Sequence, residues 1–285
     1  MGAAFVIALR EGIEAALIVS ILLAYLRQLG RGDRSRVVWW GTGLAAVASL
    51  AAGATIFTVG AEFEGTAEQL FGGLVTLTAV GVLTWMIFWM RRQGAGIRAD
   101  LHDKVDMALL GGGAALAAIA FFSVLREGVE TALFLFAAAE GTAVGTGGVG
   151  SQLLGAILGL ALAVFLGVLL YRGAIHMNLR TFFKLTGFVL IVIAAGLFAA
   201  GIHELQEAGW LPLLERTAYD VTSSLPDESG AGAIVRGLIG YNADPTVLEV
   251  IAWFAYLLAV GALYLRPIAV ASTSRRANAD SSPRS

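Results

Sequence analysis

The sequence predicts an all-α membrane protein of seven transmembrane helices: an inverted repeat of 3+3 helices followed by one extra C-terminal helix. Three observations predict it. The 285 residues are 58% hydrophobic and only 14% charged, against roughly 25% charged in soluble domains, and the mean hydropathy is +0.79. Lys and Arg crowd into alternate loops. An expensive pattern of charge inside an apolar stretch occurs twice, in residues 5–25 (FVIALREGIEAALIVSILLAY) and again in residues 121–136 (FFSVLREGVETALFLF).

A helix needs about 20 predominantly apolar residues to cross the bilayer core. Seven stretches qualify: about 3–26, 37–59 and 69–90, a fourth within 107–139, a fifth within 152–171, then about 185–206 and 247–265. The fourth window is too long for one straight span, and its Gly111-Gly112-Gly113 run marks a break or an interfacial lead-in. The first stretch has no basic segment ahead of it and no small-residue cleavage site behind it. It is expected to be a retained helix rather than a signal peptide.

Orientation follows from Lys and Arg. The loop after the first span carries Arg27, Arg31, Arg34 and Arg36, and the loop after the third carries Arg91, Arg92, Arg98 and Lys104. Arg172, Arg180 and Lys184 follow the fifth span; Arg266, Arg275, Arg276 and Arg284 follow the seventh. The opposite loops hold Arg216 and Arg236 but many acids, among them Glu62, Glu64, Glu68, Glu140, Glu215, Asp220, Asp227, Glu228 and Asp244. The expectation is a multi-pass protein of the cell's inner (plasma) membrane with its N-terminus outside and its C-terminus in the cytoplasm. Residues 1–270 read as one transmembrane domain and 271–285 as a disordered cytoplasmic tail. The outer segment 208–244 reads as an irregular lid with one short helix.

The repeat rests on spacing. Arg126 stands 116 residues after Arg10, and the third and sixth spans align at an offset of 115, which puts Gly187 on Gly72 and Gly196 on Gly81. Repeat A covers about 3–92 and repeat B about 107–207, with the seventh helix at about 247–265. Three spans per unit is odd, so the second unit is inverted, and in such architectures the substrate site lies at the repeat interface near the midplane.

Each ionised side chain at a helix centre costs roughly 2.5–3.5 kcal/mol on insertion scales, so two copies of Arg-Glu-Gly-x-Glu need a reason. Helical residues three and four apart share a face. Glu11 and Glu14 therefore project together beside Arg10, and Glu127 and Glu130 beside Arg126. Gly12 and Gly128 remove side chains between the carboxylates, leaving room for another backbone or an ion. Four converging glutamates with two arginines sum to −2, which suits a multivalent cation. Carboxylates are hard ligands that fit Mg, Ca, Mn and Fe(III) better than Cu(I), and no Cys or Met cluster within the spans competes. The plain structural alternative is a salt-bridge network that pins two helices, although buried ion pairs rarely add net stability over apolar packing.

Other candidates are secondary. His203, Glu204 and Glu207 end the sixth span, with His203 and Glu207 at i,i+4; they capture or pass a metal, or form an interfacial polar cap. Glu62, Glu64 and Glu68 read as a solvated loop, the alternative being electrostatic attraction of cations; His102 and His176 read as inner-loop surface residues, and Trp39, Trp40, Trp85 and Trp89 as interfacial belts. The absence of Cys excludes disulfides and thiolate chemistry. There is no HExxH, no Ser/His nucleophile pair, no phosphate loop and no basic tract for nucleic acid.

The pair LREGIEAALIV and LREGVETALFL resembles the oxidase-dependent iron permease family, which comprises fungal high-affinity iron permeases and a bacterial, EfeU-type branch. That family's hallmark is Arg-Glu-x-x-Glu in the first and fourth of seven helices, and both copies are intact here. TWMIFWMRR (84–92) and HELQEAGW (203–210) are similar to the bacterial branch. The resemblance implies a high-affinity iron permease that moves iron across the cytoplasmic membrane. Glu11, Glu14, Glu127 and Glu130 would bind the ion on its path, supported by Arg10, Arg126, Gly12 and Gly128. Iron is then cargo, with no permanently bound cofactor. It also implies iron-oxidising and iron-binding partners: a multicopper ferroxidase for fungal members, a periplasmic peroxidase and an iron-binding lipoprotein for bacterial ones. The competing readings are another divalent-cation (Mn-like) or proton-coupled carrier, and an intramembrane acid/base enzyme. Two symmetric motifs disfavour the enzyme, since catalysis needs differentiated roles.

Overall fold

The computed structural model describes residues 1–93, 105, 113–140, 148–172, 179–226 and 230–266. Seven long helices dominate it: α1 Gly2–Gln28, α2 Ser35–Ala61, α3 Thr66–Gln93, α4 Gly113–Glu140, α5 Gly148–Tyr171, α6 Leu179–Glu207 and, last in the chain, α8 Val247–Leu265. A short helix, α7 Gly230–Ile239, precedes α8. The shortest of the seven, α8, has 19 residues; at 1.5 Å per residue it spans about 28 Å, enough for a bilayer core. The ends follow local chemistry. Thr246 caps α8 in a reciprocal capping box with Glu249, and Gly30 after α1 and Gly65 before α3 take positive φ. α4 begins at Gly113; Gly111 and Gly112, His102, His176 and the 271–285 tail lie outside the described residues.

Five of the long helices are apolar enough throughout to cross a membrane. α1 and α4 are the exceptions because every 18-residue stretch of either holds at least three charged residues, most of them from the motif. The outward faces are apolar: Trp40, Leu44, Val47 and Leu50 on α2, and Leu153, Ile157, Val164 and Phe165 on α5 are exposed. Water would not tolerate such a surface, whereas acyl chains would cover it. The chain is an all-helical membrane protein.

Helix pairing is reciprocal. α1 packs along α5 and α2 along α4, α3 packs on α6, and α6 on α8. Small residues set these contacts. A Cβ on Gly155 would strike the Met1 carbonyl, and one on Gly41 the Ala117 carbonyl. A Cβ on Gly12 would stand 2.7 Å from the Ala163 methyl, and one on Gly128 would overlap Ser49. Such close backbone approach is the usual basis of helix packing in lipid.

Two apolar clusters fill the interior. One joins Ala3 and Ile7 of α1 with Phe134, Ala137 and Ala138 of α4 and with α3, α6 and α8. The other joins Val19, Leu22 and Leu26 of α1 with Leu116, Ala120 and Val124 of α4 and with Val38 and Ala45 of α2. The start of α1 thus meets the end of α4 and vice versa, so the two helices run antiparallel. The motif charges lie between the two clusters on both helices.

The segment between α6 and α8 is tied down by backbone bonds from Ala218 N to Pro245 O (2.8 Å), Val221 N to Ala243 O (2.9 Å) and Val247 N to Arg216 O (2.9 Å). Asp220, which accepts from the Thr222 hydroxyl and N–H, is held below its usual carboxylate range by those bonds. Gly240, at φ +69°, lies directly on Gly196, where neither tolerates a side chain. This carries the C-terminal end of α7 down to the middle of α6.

Candidate metal site

Antiparallel packing of α1 and α4 brings the two motifs face to face. Glu11, Glu14 and Glu127 are buried and each offers an oxygen within 4.8 Å of the others. Opposite oxygen ligands of a first-row divalent ion at about 2.1 Å stand about 4.2 Å apart, so the trio is near the size of such an ion. Glu130 lies outside it but is also buried. Its Oε1 accepts from Arg126 Nε at 2.7 Å.

The positive groups are held differently. Arg10 is 1% exposed. Its Nη1 donates to Glu11 Oε1 at 2.8 Å, and its Nη2 lies 3.1 Å from Glu14 Oε1, close but poorly aligned for a hydrogen bond. The same two nitrogens donate to the sulfurs of Met86 (3.2 Å) and Met90 (3.0 Å) on α3. Arg126 is only half-buried and stacks over Trp89 at 4.6 Å and Trp85 at 5.8 Å. Glu11 Oε2, Glu14 Oε1, Glu127 Oε2 and Glu130 Oε2 remain buried without a hydrogen-bond partner. A buried carboxylate oxygen without a partner costs at least about 1–3 kcal/mol in lost hydration. Four such oxygens from two helices make this a carboxylate layer with unfilled bonding capacity.

Three expectations need correction. Gly12 and Gly128 do not open space between the carboxylates; they receive α5 and α2 on the other side of their helices. A Met pair does exist within the spans, one turn apart on α3, though it faces Arg10 rather than the carboxylates. Trp89 is not merely an interfacial residue, since it packs into the core cluster and carries Arg126; Trp39, Trp40 and Trp85 do lie exposed.

At the outer end, His203 Nε2 lies 3.2 Å from Glu207 Oε1, and Gln69 Nε2 donates to Glu207 Oε2 at 3.0 Å. Glu204 faces α3 instead: Gly73 leaves the room its side chain occupies, as Gly72 does for Glu140. Glu62, Glu64 and Glu68 are exposed. Sequence reasoning missed Glu249, a buried acid of α8 whose Oε1 lies 2.9 Å from His203 Nδ1. Its signal was available: an acid in the first turn of an apolar helix, three residues after a capping Thr.

Seven long helices around a buried charged layer define a polytopic membrane protein of the transporter type. The chain matches the iron permease FTR1 family over residues 1–277 and belongs to that family. It is 43% identical over 277 residues to the "Ferrous iron permease EfeU" of Shigella sonnei (strain Ss046) and, equally, to that of Escherichia coli O157:H7, covering 96% of this chain and 99% of each relative. It is 40% identical over 266 residues to the protein of the same name from Yersinia pestis, covering 92% of this chain and 93% of that one. No solved structure matches. Membership in a permease family makes the chain a transporter and not an enzyme.

Proposed function

We propose that this protein is an iron permease of the cytoplasmic membrane in which Glu11, Glu14, Glu127 and Glu130 bind the ion in transit. The observation that carries the reading is the meeting of three carboxylates from α1 and α4 within 4.8 Å, with partnerless oxygens in a layer closed off from water. Arg10 and Arg126 offset part of the negative charge, which lets the layer exist between loads. Glu130 joins when Arg126 yields its Oε1. The relatives' names specify ferrous iron; the ion here is iron. Iron-oxidising and iron-binding partners on the outer side complete the system.

The site sits between two inverted three-helix units, α1–α3 and α4–α6, with α8 outside the repeat, all within one domain of residues 1–270. Paired contacts support this. Met1 and Gly12 meet Gly155 and Ala163, while Ala117 and Gly128 meet Gly41 and Ser49. Corresponding members stand 116 residues apart in the first helices and 114 apart in the second. The N-terminus faces outside and the C-terminus the cytoplasm, on the Lys and Arg distribution. On this Cys-free chain, an impermeant thiol reagent outside the cell should label Glu64→Cys and spare Arg34→Cys; the reverse pattern overturns the orientation.

The test of function is radio-iron uptake into vesicles reconstituted with purified protein, with and without an oxidant and with a pH gradient in either direction. Uptake that Mn(II) matches at equal concentration would make this a general divalent-cation carrier instead. Uptake that survives Glu11→Gln at the wild-type rate would remove the carboxylate layer from the path.

A further inference from the structure

We propose that Glu249 is a positioning residue for metal capture: it fixes the His203 ring so that Nε2 is presented, together with Glu207, at the outer mouth of the permease. The inference rests on the reading of this chain as an iron permease. Glu249 is the third residue of α8 and 4% exposed. Capping alone accounts for one bond, from Thr246 N–H to Oε1 at 3.1 Å. Two further bonds go beyond capping. Asn242 Nδ2 donates to Oε2 at 3.1 Å, and His203 Nδ1, from another helix 46 residues away, lies 2.9 Å from Oε1.

An ionised carboxylate only accepts, so Nδ1 carries a proton toward Glu249. Nε2 is then the nitrogen on the Glu207 side, and a metal that binds there displaces the proton this pair shares. It lies 3.2 Å from Glu207 Oε1, close to the roughly 3 Å that separates adjacent nitrogen and oxygen ligands of one ion at about 2.1 Å. Glu207 is steadied in turn by Gln69 of α3. A carboxylate behind the far nitrogen is the usual device that orients a metal-binding imidazole and raises its basicity. Here that carboxylate comes from α8, the helix outside the repeat. This gives α8 a role: it backs the capture group, while the motif helices hold the ion deeper in the membrane.

The experiment measures radio-iron uptake in proteoliposomes, as Fe(II) under ascorbate and as Fe(III) citrate, normalised to folded protein. Glu249→Gln should raise KM about tenfold, the lower end of what loss of a supporting carboxylate does to metal affinity, while maximal rate stays within about twofold. His203→Ala should do the same, and the double variant should be no worse than His203→Ala alone, because both remove one device. Should Glu249→Gln insert poorly, Glu249→Asp keeps the charge but falls short of Nδ1, and it should still raise KM. Wild-type KM in a folded Glu249 variant, additive KM effects in the double variant, or failure of both Glu249 variants to insert would each overturn the proposal. Glu11→Gln separates the two readings: if it is inactive while Glu249→Gln and His203→Ala keep wild-type KM, the permease stands and only the positioning role falls.

Discussion

The two copies of Arg-Glu-Gly-x-Glu have the same residues and different surroundings. In α1 the arginine is sealed inside, spans both of its glutamates and leans on two methionine sulfurs. In α4 the arginine is half-buried, bonds one glutamate and stacks on Trp89. Both glutamates of the first copy join the carboxylate trio, but only Glu127 of the second. The same motif sits on two antiparallel helices, and the neighbouring α3 makes the two copies unequal. On the proposed function, the first copy is the fixed half-site and the second the half that releases a ligand group.

The largest effect should come from the trio. Glu11→Gln, Glu14→Gln and Glu127→Gln each keep shape while removing one charge from a low-dielectric layer, where Coulomb energies exceed those in water manyfold. We expect uptake per folded protein to fall about a hundredfold, equivalent to about 3 kcal/mol of binding. Glu130→Gln should fall less, because Arg126 already occupies one of its oxygens. Equal losses at Glu130 and Glu127 would erase the inequality between the copies.

Next come the arginines. Arg10→Gln strips a fully buried guanidinium from two carboxylates, and removing one partner of a buried pair typically costs about 3–5 kcal/mol. The yield of inserted, folded protein in detergent should drop sharply. Arg126→Gln should keep most of the folded yield, since that side chain is half in contact with its surroundings. Comparable yields would show that the two arginines are equally structural.

Smaller effects sharpen the packing side. Gly12→Ala brings a methyl against Ala163, and overpacking of this kind costs about 1–3 kcal/mol; Ala163→Gly in the same chain should restore thermal stability. Trp89→Leu removes the ring under Arg126, worth about 0.5–2 kcal/mol as a cation–π contact. It should change the uptake rate more than stability, because Arg126 is the looser of the two cations. A Trp89→Leu protein with an unchanged rate would place the stack outside the transport cycle.

Much of this was legible in the sequence. The seven spans are signalled by length and hydropathy. The carboxylates stand out because charge is costly in an apolar stretch, and Arg10 beside Glu14 follows from helical spacing. What stayed hidden was the identity of distant partners. Met86 and Met90 sit 76 and 80 residues from Arg10, and nothing periodic links them. The motif glycines were misread because spacing along one helix tells which residues share a face, not which neighbour that face meets. Glu249 carries no sequence mark of its burial, since burial of a helix's first turn depends on what the preceding segment covers.

The order in which the chain leaves the ribosome gives the charged first helix a further consequence. α1 enters the membrane before anything that shelters it has been made: the methionines of α3 come next, the facing glutamates of α4 later, and the covering helix α5 last. Its own Arg10–Glu pairs soften a cost of about 2.5–3.5 kcal/mol per charge but do not remove it. A half-synthesised chain is therefore expected to hold α1 in the membrane less firmly than the finished protein does. Chains stopped after α3 should be degraded quickly and chains stopped after α6 should persist, which a pulse-chase of truncated forms would measure.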